Sequence, residues 1–246
     1  MKEIKNIFLK KIDSTNKYAK ENLSSFDPKN ITCITADFQT MGKGRFDRKW
    51  ISSKGKNLLT TFYFRLSPSP KNIGSLSLLA CLSICKCLEK ENLHPKVKWP
   101  NDIQLNEKKL GGVLCEAVFS KTYVDIILGI GVNINTTKEE LSIIDQPATS
   151  LFVLTNNTWD RDKLLADLQK EFAQNLEVFE RNGFSAFVSE FDKLLAYKDK
   201  TLHFYDGENI FKGHIDSITE DGSLRFYIAT TKEIKTFHSG EIVSVE

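Results

Sequence analysis

From about Lys198 to Glu246 the chain changes texture, and that change sets the outline of the fold. Short β-branched or apolar runs at 201–205, 209–218, 223–229, 233–237 and 241–245 are divided by tight-turn signals, Asp206-Gly207 and Asp221-Gly222 among them. Five short strands in so short a stretch predict a small barrel. A piece of that size needs the body of the protein behind it. The chain is therefore read as a larger unit, 1–197, and a smaller one, 198–246.

The larger unit mixes strands and helices. Residues 4–12 read as a strand, and Asp13-Ser14-Thr15 supply capping side chains for a helix through about Leu23. Strands are expected over 31–38 and 58–66, with loop chemistry from Gln39 to Gly55 between them. After Pro68 and Pro70, residues 72–92 carry Leu76, Leu79, Ala80, Ser83 and Cys87 at helical spacing. Strand-like runs follow near 96–105, 110–119 and 122–134, then an irregular polar stretch over 136–157. Asp160 caps a helix whose apolar face is Leu164, Leu168, Phe172, Leu176 and Phe179. Gly183 ends it, and Phe184, Phe187, Phe191 and Leu194 mark another.

Composition excludes several classes. A net charge of +2 is too near balance for a protein that coats nucleic acid. The best candidate for a membrane span, Tyr123 to Ile134, contains Asp125 and is too short. The N-terminal Met1-Lys2-Glu3-Ile4-Lys5 lacks the apolar core of a signal peptide. The five cysteines are odd in number, contain no CxxC pair and do not cluster with the four histidines. Reduced, buried thiols in a cytoplasmic protein are expected, with neither a disulfide framework nor a zinc site.

Five segments carry candidate chemistry. Lys98-Trp99-Pro100-Asn101-Asp102 sets rare Trp and Pro between a base and a carboxamide–carboxylate pair. Asp102 suits Mg²⁺ with Asn101 in support, Lys98 suits phosphate, and Trp99 suits stacking on a flat ring. Lys109-Leu110-Gly111-Gly112 puts an ammonium over open backbone, fit for a carboxylate or an α-phosphate. Between Gln39 and Trp50, Gly42-Lys43-Gly44-Arg45 and Arg48 join close-approach glycines to cations, without the GxxxxGK[ST] of a P-loop. In Gly129-Ile130-Gly131-Val132-Asn133 the glycines make room for a flat ligand, and Asn133 is placed to bond a base or ribose. Ser14-Thr15-Asn16 offers polar groups to a ligand head. Singly, each segment has a plain structural reading as well: a basic surface loop, a buried Trp at a turn, a strand opening, glycines in a packed strand, a helix cap.

Together, in this order and spacing, they closely resemble the bacterial biotin protein ligases, in the monofunctional form without an N-terminal helix-turn-helix. The resemblance runs from Ser14-Thr15-Asn16 to the C-terminal β segment, and KWPND followed by KLGG is highly specific to that family. It implies an α+β fold: a mixed central sheet flanked by helices, with a small SH3-like barrel behind it. It implies two half-reactions. Biotin and MgATP give biotinyl-5′-AMP and pyrophosphate, and a lysine of a biotin carboxyl carrier protein then takes the biotinyl group. ATP with Mg²⁺ is a substrate, and no tightly bound metal is expected. By the same resemblance Ser14, Thr15 and Gln39 bond the biotin ureido ring, with Asn16 beside them. Gly42 to Arg48 close over biotin and adenylate, with Arg45 facing phosphate. Lys109, with Gly111 and Gly112, sits near the biotin carboxylate and α-phosphate. Arg48, Trp50, Lys98, Trp99, Asn101 and Asn133 belong to the nucleotide, and Asp102 to the metal.

The loop departs from the family in two places. Lys43 stands where arginine is usual, and Phe46-Asp47 replaces an Arg-Gly pair. A lysine keeps the charge but loses the bidentate fork. Asp47 adds a negative charge near phosphates unless it pairs with Arg45 or Arg48. The first strand begins almost at Met1, which predicts a ligase without DNA binding. A homodimer through the edge of the sheet is a family expectation. The alternative reading is a lipoate or octanoate ligase or transferase on a similar fold.

Overall fold

The computed structural model describes residues 2–66 and 73–246; Pro68 and Pro70 lie outside the described residues, as does the side chain of Asp47. Strand β1 (Ile4–Leu9) leads to helix α1 (Thr15–Glu21), which Ser14 caps by accepting from the Lys17 amide. Strands β2 (Ile31–Ala36) and β3 (Leu58–Leu66) flank the long loop, and helix α2 (Gly74–Glu89) follows. The expected strand over 96–105 is a hairpin instead, β4 (Lys96–Lys98) and β5 (Asp102–Leu105), which turns at a cis Trp99–Pro100 peptide. Proline has no amide proton to give to a sheet ladder, so the chain reverses there rather than running through.

Strands β6 (Lys108–Phe119) and β7 (Val124–Val132) complete a seven-stranded sheet of order β1-β2-β3-β7-β6-β5-β4. Only β1 and β2 run parallel; the other pairs are antiparallel, so the sheet is mixed. The stretch read as irregular holds two short helices, α3 (Lys138–Leu141) and α4 (Leu151–Thr155). Each starts at a hydroxyl cap, Thr137 and Ser150, a local signal too short to give a periodic apolar face.

Helix α5 (Arg161–Asn182) buries the face expected of it, and Phe172 stacks on Phe62 of β3 with ring centres 4.8 Å apart. Helix α2 is buried along nearly its whole length, between the sheet and α5. Helix α1 covers the other face, where Ala19 packs with Ile34, Tyr63 and Ile127. After α6 (Val188–Leu194) come β8 (Leu202–Tyr205), β9 (Ile210–Ile218), β10 (Leu224–Ile228), β11 (Glu233–Phe237) and β12 (Glu241–Val245). These five form an antiparallel sheet of order β11-β10-β9-β8-β12.

The two sheets share one apolar core, which runs from Ile31 to Ile242. Trp99 is the wedge between them. Its indole N–H donates to the Gly222 carbonyl at 3.1 Å, and its ring lies 5.9 Å from that of Phe204. The Ala196 amide adds a bond to the Val97 carbonyl at 2.9 Å.

Candidate active site

A cavity of about 880 Å³ opens where β6 and β7 meet the long loop, the β4–β5 turn, the 144–148 segment and strand β12. Every residue proposed for the site from the sequence lines it except Gly42 and Gly111. Those two are close-packed against backbone. A Cβ on Gly42 would lie 2.7 Å from the Trp50 carbonyl, and one on Gly111 2.7 Å from that of Gly131.

One end of the cavity is a neutral polar cluster. Ser14, Thr15 and Asn16 are buried. The Thr15 amide and hydroxyl meet Gln39 Oε1 at 2.7 and 3.1 Å. Thr61 Oγ1, which the sequence did not single out, lies 2.7 Å from both Thr15 Oγ1 and Asn16 Oδ1. The Asn16 amide donates to Glu116 at 2.9 Å. These groups have their orientations set by one another, as a site for a neutral hydrogen-bonding ring requires.

The glycines of β7 correct an expectation. They make room for the protein's own side chains: Asn16 lies on Gly129, and the Trp50 ring lies on Gly131. Trp50 thus forms part of the wall, 6.0 Å from the Lys109 ammonium measured to its ring centre.

The loop itself is a small hairpin. Gly44 donates to the Arg48 carbonyl and Trp50 to that of Gly42, at 2.7 and 2.9 Å, with a bridge between Lys43 and Lys49. The tip, Arg45–Asp47, is a single 3₁₀ turn. Arg45 donates to Asn101 Oδ1 and to the Gly240 carbonyl, both at 3.2 Å. Arg48, expected on the nucleotide, makes a two-pronged ion pair with Glu241 at 2.6 and 2.8 Å. Burial lowers the pKa of Arg45. Burial pushes Glu241 up, but the hydrogen bonds and charge of Arg48 outweigh it and the net shift is downward. Glu241 opens β12 of the C-terminal sheet and Gly240 immediately precedes it, and no motif in the sequence marked them. Gly240 is held at φ 146, where a Cβ would also run into the ring of Phe204.

On the facing wall Lys109 Nζ pairs with Asp102 Oδ1 at 2.8 Å. Gly112 leaves the space the pair occupies: a Cβ there would sit 3.2 Å from Asp102 Oδ1 and 3.4 Å from Lys109 Cε. The Lys109 backbone is bracketed by the 144–148 segment, donating to Pro147 and accepting from Thr149, each at 2.9 Å. Asn101 is oriented by its bond to the Val113 carbonyl at 2.7 Å. Lys98 is half-buried, and burial lowers its pKa although Asp102 and Glu241 oppose this. Asn133 is buried and donates to the Thr149 carbonyl at 3.1 Å. Trp99 is the exception. Its indole is 2% exposed and is committed to the C-terminal sheet, so the stacking surface expected of it is taken by Phe204.

No thiol is placed as a nucleophile among these groups. Burial pushes Cys87 and Cys115 up to about 12 and raises Cys33, Cys81 and Cys85 as well. Among the described residues no three His, Cys, Asp or Glu side chains gather as a metal cluster. No described helix is long and apolar enough to cross a membrane. What converges is a set of cations from separate elements, Arg45, Arg48, Lys98 and Lys109 among them, beside a neutral polar cluster in one hollow.

Residues 8–133 match the model of the biotin/lipoate A/B protein ligase family. The chain is also 32% identical over 234 residues to the Escherichia coli bifunctional ligase/repressor BirA, covering 94% of this chain and 71% of that protein. The chain belongs to this family. The biotin protein ligase of Aquifex aeolicus, solved in complex with biotin and ATP, superposes with a TM-score of 0.81 at 33% identity, covering 98% of each chain. The biotin–[acetyl-CoA-carboxylase] ligase of Mycobacterium tuberculosis is 31% identical over 143 residues, covering 56% of this chain and 51% of that one. The mixed sheet flanked by helices, with a second antiparallel sheet at the C-terminus, is the fold of a biotin ligase.

Proposed function

We propose that this chain is an ATP-dependent biotin–protein ligase, which condenses biotin with ATP to biotinyl-5′-AMP and then passes the biotinyl group to a lysine of a biotin carboxyl carrier protein. The convergence of Arg45, Asp102 and Lys109 on one cavity, next to the cluster of Thr15, Asn16 and Gln39, carries this reading. The biotin carboxylate and the α-phosphate are both anionic, and bringing them together is costly in a low-dielectric hollow. Lys109 and Arg45 offset that repulsion with charge already in place, which is the most effective way to stabilise a developing anion. The polar cluster fixes the ureido end of biotin, so that the carboxylate is presented to the phosphate rather than found by diffusion. The hairpin of residues 42–50 covers the reacting atoms and keeps water from the mixed anhydride.

The carrier lysine replaces AMP at the biotinyl carbonyl: a C–N bond forms, the C–O bond to phosphate breaks, and AMP leaves. We assign Lys98, Asn101, Asn133, Arg48 and Trp50 to the nucleotide side. Asp102 and Asn101 already engage Lys109 and Arg45, so this donor set suits a magnesium ion delivered on the triphosphate rather than a resident metal. The buried thiols suit a cytoplasmic setting. We place the boundary between catalytic and C-terminal units at residues 197 and 198, between the two sheets.

Mass spectrometry of the protein incubated with MgATP and biotin, lipoate or octanoate tests the reading. Biotinyl-AMP is expected with biotin and no adenylate with lipoate. Adenylate formed from lipoate or octanoate alone overturns it in favour of the lipoate branch of the family.

A further inference from the structure

Phe46 stands at the tip of the hairpin with φ 54 and ψ 40, a left-handed backbone that an L-aromatic residue adopts only under strain. Glycine or asparagine would take it freely. The strain is not offset by burial, because Phe46 is 61% exposed. Its ring instead faces charge. The guanidinium carbon of Arg45 lies 4.8 Å from the ring centre and that of Arg48 5.9 Å. The repulsion between the two guanidiniums is offset by Glu241, and the π face adds a weaker attraction to each. Each is held at its far side as well, Arg45 by Asn101 and the Gly240 carbonyl, Arg48 by Glu241. Phe46 closes the near side and itself lines the cavity.

We propose that Phe46 is a positioning residue for the ligation reaction: its ring is the shelf that holds the Arg45 guanidinium in the cavity, towards the nucleotide, beside an Arg48 tied to Glu241. The inference rests on the ligase reading above. It gives a role to a residue by which this loop departs from the family pattern.

Two variants separate positioning from mere structure. Phe46→Gly removes the ring and suits the left-handed backbone; Phe46→Tyr keeps the ring. Biotin-dependent pyrophosphate exchange is measured against MgATP concentration, with the thermal midpoint of each variant. For Phe46→Gly, loss of one exposed cation–π contact corresponds to a rise in KM for MgATP of about two- to five-fold. The loss should fall on KM rather than kcat, while the thermal midpoint holds or rises as strain is relieved. Phe46→Tyr should recover the KM. An unchanged KM in Phe46→Gly, a Tyr variant as impaired as the Gly variant, or a KM that rises only in step with a falling midpoint overturns the proposal. A wild-type protein inactive with biotin sinks the ligase reading and this inference together; an active wild type with an unaffected Gly variant sinks the inference alone.

Discussion

Gly131 shows how little space separates a working site from a blocked one. It sits in β7 between Leu59 and Gly112, with the Trp50 ring laid across it. A methyl group there would come within 2.5 Å of the indole. Trp50 cannot retreat far, because its backbone closes the hairpin through the bond to Gly42. Gly131→Ala should therefore force the ring into the cavity and destabilise the protein by about 1–3 kcal/mol, the scale of overpacking a close-fitted position. Denaturant unfolding measures this, and an unchanged midpoint would mean that Trp50 is not held as described. The same logic gives Gly112 its place, since it leaves room for the Lys109–Asp102 pair.

Short elements, more than long ones, shape the mouth of the site. Helix α3 is a single turn, yet it anchors the stretch that leads to Pro147 and Ala148 beside Lys109. Its capping box joins Thr137 to Glu140, and Glu140 also takes Lys56 at 2.8 Å, tying the turn to the entry of β3. The Lys56 ammonium, then the Thr137 amide, hold Glu140 down at about 2. A carboxylate lowered on folding contributes stability above its unfolded value of 4.5, and that contribution fades as pH falls towards about 2. The stability difference between wild type and Glu140→Gln is thus expected to be constant above pH about 4.5 and to vanish by pH about 2. A difference that persists at the acid end would assign the role to packing instead.

Long elements with a clear period were legible in the sequence. The apolar face of α5 follows directly from helical spacing, strand β3 from its run of apolar, aromatic and β-branched residues, and the five C-terminal strands from their turns. The β4–β5 hairpin was not, because a run of apolar and basic residues says nothing of the reversal that Pro100 imposes. Helices α3 and α4 were missed because one turn has no period to read; only the hydroxyl caps of Thr137 and Ser150 announce them. In the site, glycine–cation and lysine–glycine patterns located the cavity's charged walls. They said nothing of Thr61, of the 144–148 segment or of Gly240 and Glu241. Those arrive by tertiary packing and carry no local mark.

Across the whole molecule the C-terminal sheet completes the site rather than trailing behind it. Trp99 fixes the β4–β5 turn against that sheet through Gly222 and Phe204, and the same turn carries Asn101 and Asp102 into the cavity. From the other side the sheet returns Gly240 to Arg45 and Glu241 to Arg48. The charges proposed to act on substrate thus depend on four separate regions being folded together: the hairpin, the β4–β5 turn, the start of β6 and the last strand. Lys109 is the charge on which biotin and nucleotide are proposed to meet. Biotin-dependent ATP–pyrophosphate exchange by Lys109→Ala, beside the wild type, measures its part in uniting carboxylate and α-phosphate. Exchange should fall by at least about 100-fold, the scale of removing one preorganised charge contact, in a protein that still folds; near-normal exchange by that folded variant would contradict the convergence of charge proposed for this cavity.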